Sequence, residues 1–136
     1  MTTPHSRMTL GASERLKSRK QIGLLFAKGK SISRFPVKVI YRLAPLEEGQ
    51  DDSLKFMVTV PKRKFKRAVD RNLLKRRVRE AYRQENQGLK NKIPAGYGMD
   101  LVVLYLAPEI REFNEIREKL VLSLQKLERA LDSENK

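Results

Sequence analysis

Cysteine and tryptophan are both absent from this 136-residue chain, and His5 is its single histidine. Disulfides, thiolate metal sites and cysteine nucleophiles are therefore excluded, and the lack of cysteine suits a reducing compartment. No apolar run approaches the 18 or so residues of a membrane span, and the opening MTTPHSRMTLGASER lacks the apolar stretch of a secretory signal. A cytoplasmic location without membrane attachment is the expectation. Negative charge is scarce as well: 16 Asp and Glu stand against 30 Lys and Arg, a net +14.

That charge is unevenly spread. Residues 1–92 hold 24 basic against 8 acidic side chains, or +16, so the remainder is slightly acidic. A field of that sign attracts polyanions, and neutralising phosphates releases condensed counterions, which gives tight but salt-sensitive binding to nucleic acid. With 40% hydrophobic residues the chain can still build one small core.

Organisation follows from punctuation and period. Residues 1–14 carry Thr, Pro, Ser and Gly without periodicity and read as a disordered lead-in, 15–131 as a single domain, and 132–136 as a tail. Ile22, Leu25 and Phe26 have helical spacing and Gly29 is a plausible stop, which predicts a first helix over 18–28. Residues 35–43 alternate Val37, Val39 and Tyr41 against Lys38 and Arg42, the period of a strand. After a loop at 46–53, LKFMVTV (54–60) reads as a second strand, the two forming a possible hairpin. A long helix over 67–84, a Gly and Pro loop, a near-continuous apolar strand over 100–107 and a final amphipathic helix on Phe113, Ile116, Leu120, Leu124 and Leu127 complete the order αββαβα. The class is α/β (α+β), a two-layer sandwich on a small mixed sheet of about four strands.

Residues 62–83 concentrate the chemistry, with 11 Lys or Arg against Asp70 and Glu80. On a helix, Asn72, Lys75, Arg76, Arg79 and Arg83 fall within an arc of about 100°, opposite a stripe built on Leu74 and Val78. Such a run is often only a solvated face. Here like charges at four-residue spacing, Arg71, Lys75 and Arg79, repel one another, and bound phosphates would offset that cost.

The same residues carry a family resemblance. R-N-L-L-K-R-R-V-R-E, Arg71 to Glu80, resembles the RNxxKRxxRE signature of the bacterial ribonuclease P proteins. Arg15-Leu16-Lys17, Phe26, Gly29, V-P-K-R at 60–63, Ala68-Val69 and the DLVV that begins at Asp100 fit at the right distances, so the likeness spans roughly residues 15–130. The family usually has V-S-K-K where this chain has V-P-K-R, a Gly before the Ala-Val pair, and often Phe where Ile22 stands.

The resemblance implies an RNA-binding subunit of an endoribonuclease that removes the 5′ leader from precursor tRNA. Its partners would be the ribonuclease P RNA and the precursor tRNA, with no obligate protein partner. Cleavage would belong to the RNA and its magnesium ions, with no catalytic residue and no metal site on the protein. It further implies a left-handed βαβ crossover, RNA contact by Lys62, Arg63, Lys64, Arg67, Arg71, Asn72, Lys75, Arg76 and Arg79, and an arginine oriented by Glu80. A cleft for the single-stranded leader would lie between the first helix and the sheet, with Ile22 and Phe26 on the helix and Val39 or Tyr41 and a residue of 56–60 as its floor. A core role is the alternative for each of these apolar residues. A general RNA-binding or ribosome-associated protein is the rival reading of the whole, and it leaves the spaced motif unexplained.

Overall fold

The computed structural model describes residues 19–46 and 54–134. The expected lead-in at 1–14, Arg15-Leu16-Lys17 and most of the 46–53 loop lie outside them. The elements are α1 (Arg19–Lys28), β1 (Lys30–Arg34), β2 (Val37–Pro45), β3 (Leu54–Thr59), α2 (Ala68–Lys92), β4 (Tyr97–Tyr105) and α3 (Phe113–Glu134). The fold is α+β, a mixed four-stranded sheet with three helices, and the order holds one strand more than the sequence implied. That strand, KSISR, buries only Ile32, so it has no apolar period of its own and exists by pairing with β2.

The sheet order is β1-β2-β4-β3. β2 and β3 therefore form no hairpin: β4 lies between them, antiparallel to β2 from Val37↔Tyr105 to Pro45↔Tyr97 and parallel to β3 from Leu54↔Met99 to Thr59↔Leu104. The near-continuous apolar run thus becomes an interior strand covered on both faces, as its composition requires. Because β3 and β4 are parallel, α2 is the crossover between them, and the chain leaves both strands at the same end of the sheet.

α2 and α3 cover one face. Leu74, Val78, Ala81, Tyr82 and Leu89 from α2, with Ile116, Leu120, Leu124, Leu127 and Leu131 from α3, close over Val37, Val39, Tyr41, Phe56, Leu101 and Val103. The Phe56 and Tyr82 rings stack with centroids 3.8 Å apart. The bonds Arg77 to Arg111 O, Arg117 Nε to Gln84 Oε1 and Lys92 Nζ to Asp132 Oδ2 advance together along both helices, so the two run side by side in one direction. α2 extends past the expected end at 84 to Lys92, burying Leu89 and passing close to α3 at Gly88, where a Cβ would stand 3.1 Å from the Glu128 carboxylate. α3 continues to Glu134, beyond the boundary placed at 131.

Among the described residues α1 is the one helix on the other face, where its Leu25 forms a small second core with Ile40 and Val102, and Ile22, Met57 and Leu104 pack against it. It makes a partial third layer where two were expected. At the far end of β4, Tyr105 Oη donates to Glu109 O (2.7 Å) and accepts from Arg111 N (2.9 Å), pinning the loop that leads to α3. Burial pushes that phenol pKa up. Tyr105→Phe is expected to lower stability by about 1–2 kcal/mol, read as a lower urea midpoint at unchanged slope, because two backbone groups lose their shared partner.

Candidate nucleic-acid interface

After β3 the chain turns at Pro61, whose carbonyl accepts from the Lys64 and Phe65 amides at 3.3 Å. Phe65 plugs into the core with its ring tilted on Tyr105, centroids 5.8 Å apart. With Phe65 buried, Lys62, Arg63 and Lys64 on its amino side and Lys66 and Arg67 beyond it all face solvent. Lys64 Nζ donates to Leu106 O at 2.8 Å, and Arg67 Nε stands 4.0 Å from the Asp70 carboxylate. The segment that departs from V-S-K-K and lacks the family's Gly is thus a turn anchored by an aromatic residue.

α2 begins immediately afterwards, and its positive dipole end adds to the local field. Asn72, Arg76 and Arg79 are exposed and Lys75 is half-buried, while Leu74 and Val78 are fully covered, as the helical projection implied. The side chains of Asn72, Lys75 and Arg76 make no hydrogen bond or ion pair among the described residues. Glu80 does hold an arginine: Arg83 Nη2 is 2.7 Å from its carboxylate.

Arg71 differs from the rest. One residue, about 100° of turn, separates it from Asn72, which carries it off the cationic arc. Its Nη1 donates to Phe65 O (2.7 Å) and Lys66 O (3.0 Å), so it fastens the basic turn to the helix. Arg77 likewise turns away, donating to Arg111 O.

On the α1 face the sheet shows three cross-strand rows: Lys38, Leu104, Thr59; Ile40, Val102, Met57; and Arg42, Asp100, Lys55. Burial pushes the Asp100 carboxyl pKa up, and the Lys55 and Arg42 charges beside it pull it part of the way back. Phe26 is 47% exposed along α1, Ile22 is half-buried, and Met57 and Leu104 are only partly covered. Ile22, Met57 and Leu104, packed against the small core and only partly covered, mark the groove between α1 and the sheet, with Phe26 one helical turn from Ile22 and with Lys38 and Lys55 in the rows that flank Met57. Val39 and Tyr41 are not in it: both face the main core beneath α2 and α3, and the residues of the same strand that look toward α1 are Lys38, Ile40 and Arg42. A shift of one residue exchanges the faces of a strand. From 56–60, Met57 and Thr59 take the groove side, whereas Phe56, Val58 and Val60 are core. Met57 falls within the expected 56–60, whereas Ile40 and Leu104 are the residues sequence reasoning missed; the buried period of β4 could have found Leu104 once its neighbours were known.

The family model described as Ribonuclease P matches residues 10–128. The chain belongs to the ribonuclease P protein family. It is 34% identical over 126 residues to the ribonuclease P protein component of Porphyromonas gingivalis, covering 91% of this chain and 89% of the relative. The Thermotoga maritima component is 38% identical over 120 residues, covering 85% and 92%. The solved ribonuclease P protein of Thermotoga maritima superposes with a TM-score of 0.61 at 32% identity over 83% of this chain and 96% of its own. That of Staphylococcus aureus, at 19% identity, shares the fold with a TM-score of 0.65 over 84% and 94%. The chain is thus a subunit of the ribonuclease P holoenzyme, the endoribonuclease of tRNA processing, and the ribonuclease P RNA is its partner. Among the described residues no helix is long and apolar enough to cross a membrane.

Proposed function

We propose that the chain serves ribonuclease P through two surfaces: Lys62, Arg63, Arg67, Asn72, Lys75, Arg76 and Arg79 hold phosphates of the ribonuclease P RNA, and the α1 groove holds the single-stranded 5′ leader of precursor tRNA. The observation that carries the second half is that Met57 and Leu104 stay only partly covered on the sheet face that bears α1 with its exposed Phe26, with Lys38 and Lys55 in the flanking rows. A soluble core gains nothing by leaving such a floor half open, whereas unstacked bases find apolar faces there and their phosphates find ammonium groups. Arg guanidinium forks take phosphates bidentately, and Asn72 can both donate and accept toward a base or ribose. Bond cleavage is assigned to the RNA and its magnesium ions; the protein raises the affinity for substrate and for those ions by lowering the repulsion between polyanions. Lys64 and Arg71, tied to Leu106 O and to the Phe65 and Lys66 carbonyls, shape the basic turn more than they reach for RNA.

The test is cleavage of precursor tRNA at low magnesium by a cognate ribonuclease P RNA, with and without the protein, on substrates with and without a leader. Stimulation that yields mature 5′ ends and is larger for the leader-bearing substrate is expected. Phe26→Ala together with Met57→Ala should weaken binding of leader-bearing precursor by about 1 kcal/mol or more and leave leaderless tRNA unchanged. Equal loss for both substrates would remove the groove assignment. Cleavage by the protein alone would remove the mechanism.

A further inference from the structure

One exposed aromatic ring, in the turn between β1 and β2, is used by neither surface. Phe35, in the turn between β1 and β2, is 52% exposed and belongs to neither core cluster. It is nonetheless firmly mounted. The next residue, Pro36, is buried and accepts from Leu106 N at 2.7 Å, and Leu106 O in turn accepts from Lys64 Nζ at 2.8 Å. Three segments, the β1–β2 turn, the loop after β4 and the basic turn after β3, are thereby joined within a few residues of the ring.

The Arg111 guanidinium stands 5.2 Å from the ring centroid, a cation–π distance. Arg111 is itself gripped by the carboxylates of Glu109, at 2.6 Å, and Glu115, which push its pKa further up. Its charge is thus already balanced, which makes it a support for the ring and not a phosphate ligand. The unbalanced charge nearby is on Arg34, which precedes the ring in sequence, and on the Lys62–Lys64 turn tied to it through Leu106.

A rigid, half-open aromatic face set among cations fits one class of ligand: a flat π-system carrying phosphates on either side. We propose that Phe35 is a stacking platform for an unpaired nucleobase, with Arg34 and the Lys62–Lys64 turn receiving the flanking phosphates. The base comes from one of two sources, the ribonuclease P RNA or the precursor tRNA. The ring is in the β1–β2 turn, apart from the floor of the α1 groove, so the platform does not depend on the leader assignment.

Because the chain has no tryptophan, Phe35→Trp places a single fluorescent ring at the site. Its emission is expected to be quenched on stacking, either when ribonuclease P RNA is added or only when precursor tRNA joins the assembled holoenzyme, and the step that quenches identifies the source. Phe35→Ala and Phe35→Leu should both weaken that step by about five- to 100-fold while Phe35→Tyr retains it, since stacking needs a π face. All three should melt within a few degrees of the parent. Unchanged emission at both steps, or a leucine variant that binds as tightly as the parent, overturns the proposal.

Discussion

Alanine at Lys75, Arg76 and Arg79 together is expected to weaken binding of ribonuclease P RNA on the order of 100-fold at moderate salt, taking about 1 kcal/mol for each charge-assisted hydrogen bond removed. The salt dependence is the sharper readout. Each neutralised phosphate contributes roughly 0.7–0.9 to the slope of log affinity against log salt, so the triple variant should flatten it by about two to three. Two of the three side chains are exposed and Lys75 is half-buried, all on a helix whose opposite face is buried, so the fold should survive the change. Arg77→Ala is the contrast: its guanidinium bonds Arg111 O between α2 and the loop before α3, so it should lower the unfolding midpoint and leave the slope nearly unchanged. A loss for the triple variant that is equal at all salt concentrations would show that this face does not meet phosphate.

The second large effect is expected from the smallest change. Gly29 closes α1, its amide donating to Leu25 O at 2.8 Å. A Cβ at this position would stand 2.4 Å from Leu25 O, 2.8 Å from Ile40 Cγ2 and 3.1 Å from Tyr41 O. Two of those three atoms are backbone and the third belongs to a residue of the small core under α1, so the helix end must lift from β2. Gly29→Ala should therefore cost about 1–3 kcal/mol in urea unfolding, as overpacking does. Since, among the described residues, α1 is seated through Leu25 on Ile40 and Val102 with their partly buried neighbours, the damage should fall on leader-bearing substrate before it reaches affinity for ribonuclease P RNA. An unchanged midpoint would mean that the helix end relaxes without cost.

How legible these features were in the sequence depended on whether a residue's environment was local. The stripe of Leu74, Val78, Ala81 and Tyr82 and the arc of Asn72, Lys75, Arg76 and Arg79 are set by one helix, and helical period located both. The interior place of β4 was readable from a run apolar on both faces. By contrast, KSISR is a strand only because β2 pairs with it, and the turns of α2 after Gln84 are mostly polar, anchored by the single buried Leu89 and by the ion pair of Lys92 with Asp132 of α3. The groove floor failed for the same reason. Val39 and Tyr41 alternate correctly with Lys38 and Arg42, but which set faces α1 is decided by the larger buried area beneath α2 and α3, and alternation alone does not carry that sign. Arg71 was drawn into the RNA-binding set by the motif, while its angular position already pointed it toward the preceding turn.

The interior place of β4 also bears on how the chain reaches this fold. β4 is the last strand to be synthesised, yet it is the one to which both β2 and β3 are hydrogen-bonded. Until residue 105 has left the ribosome only the local β1–β2 pairing is available, and β3 and the basic segment that follows it have no sheet to join. Assembly is therefore governed by pairings far apart in sequence, the slow regime of folding, and the cationic segment spends that interval unsupported among the RNA of the machine that made it.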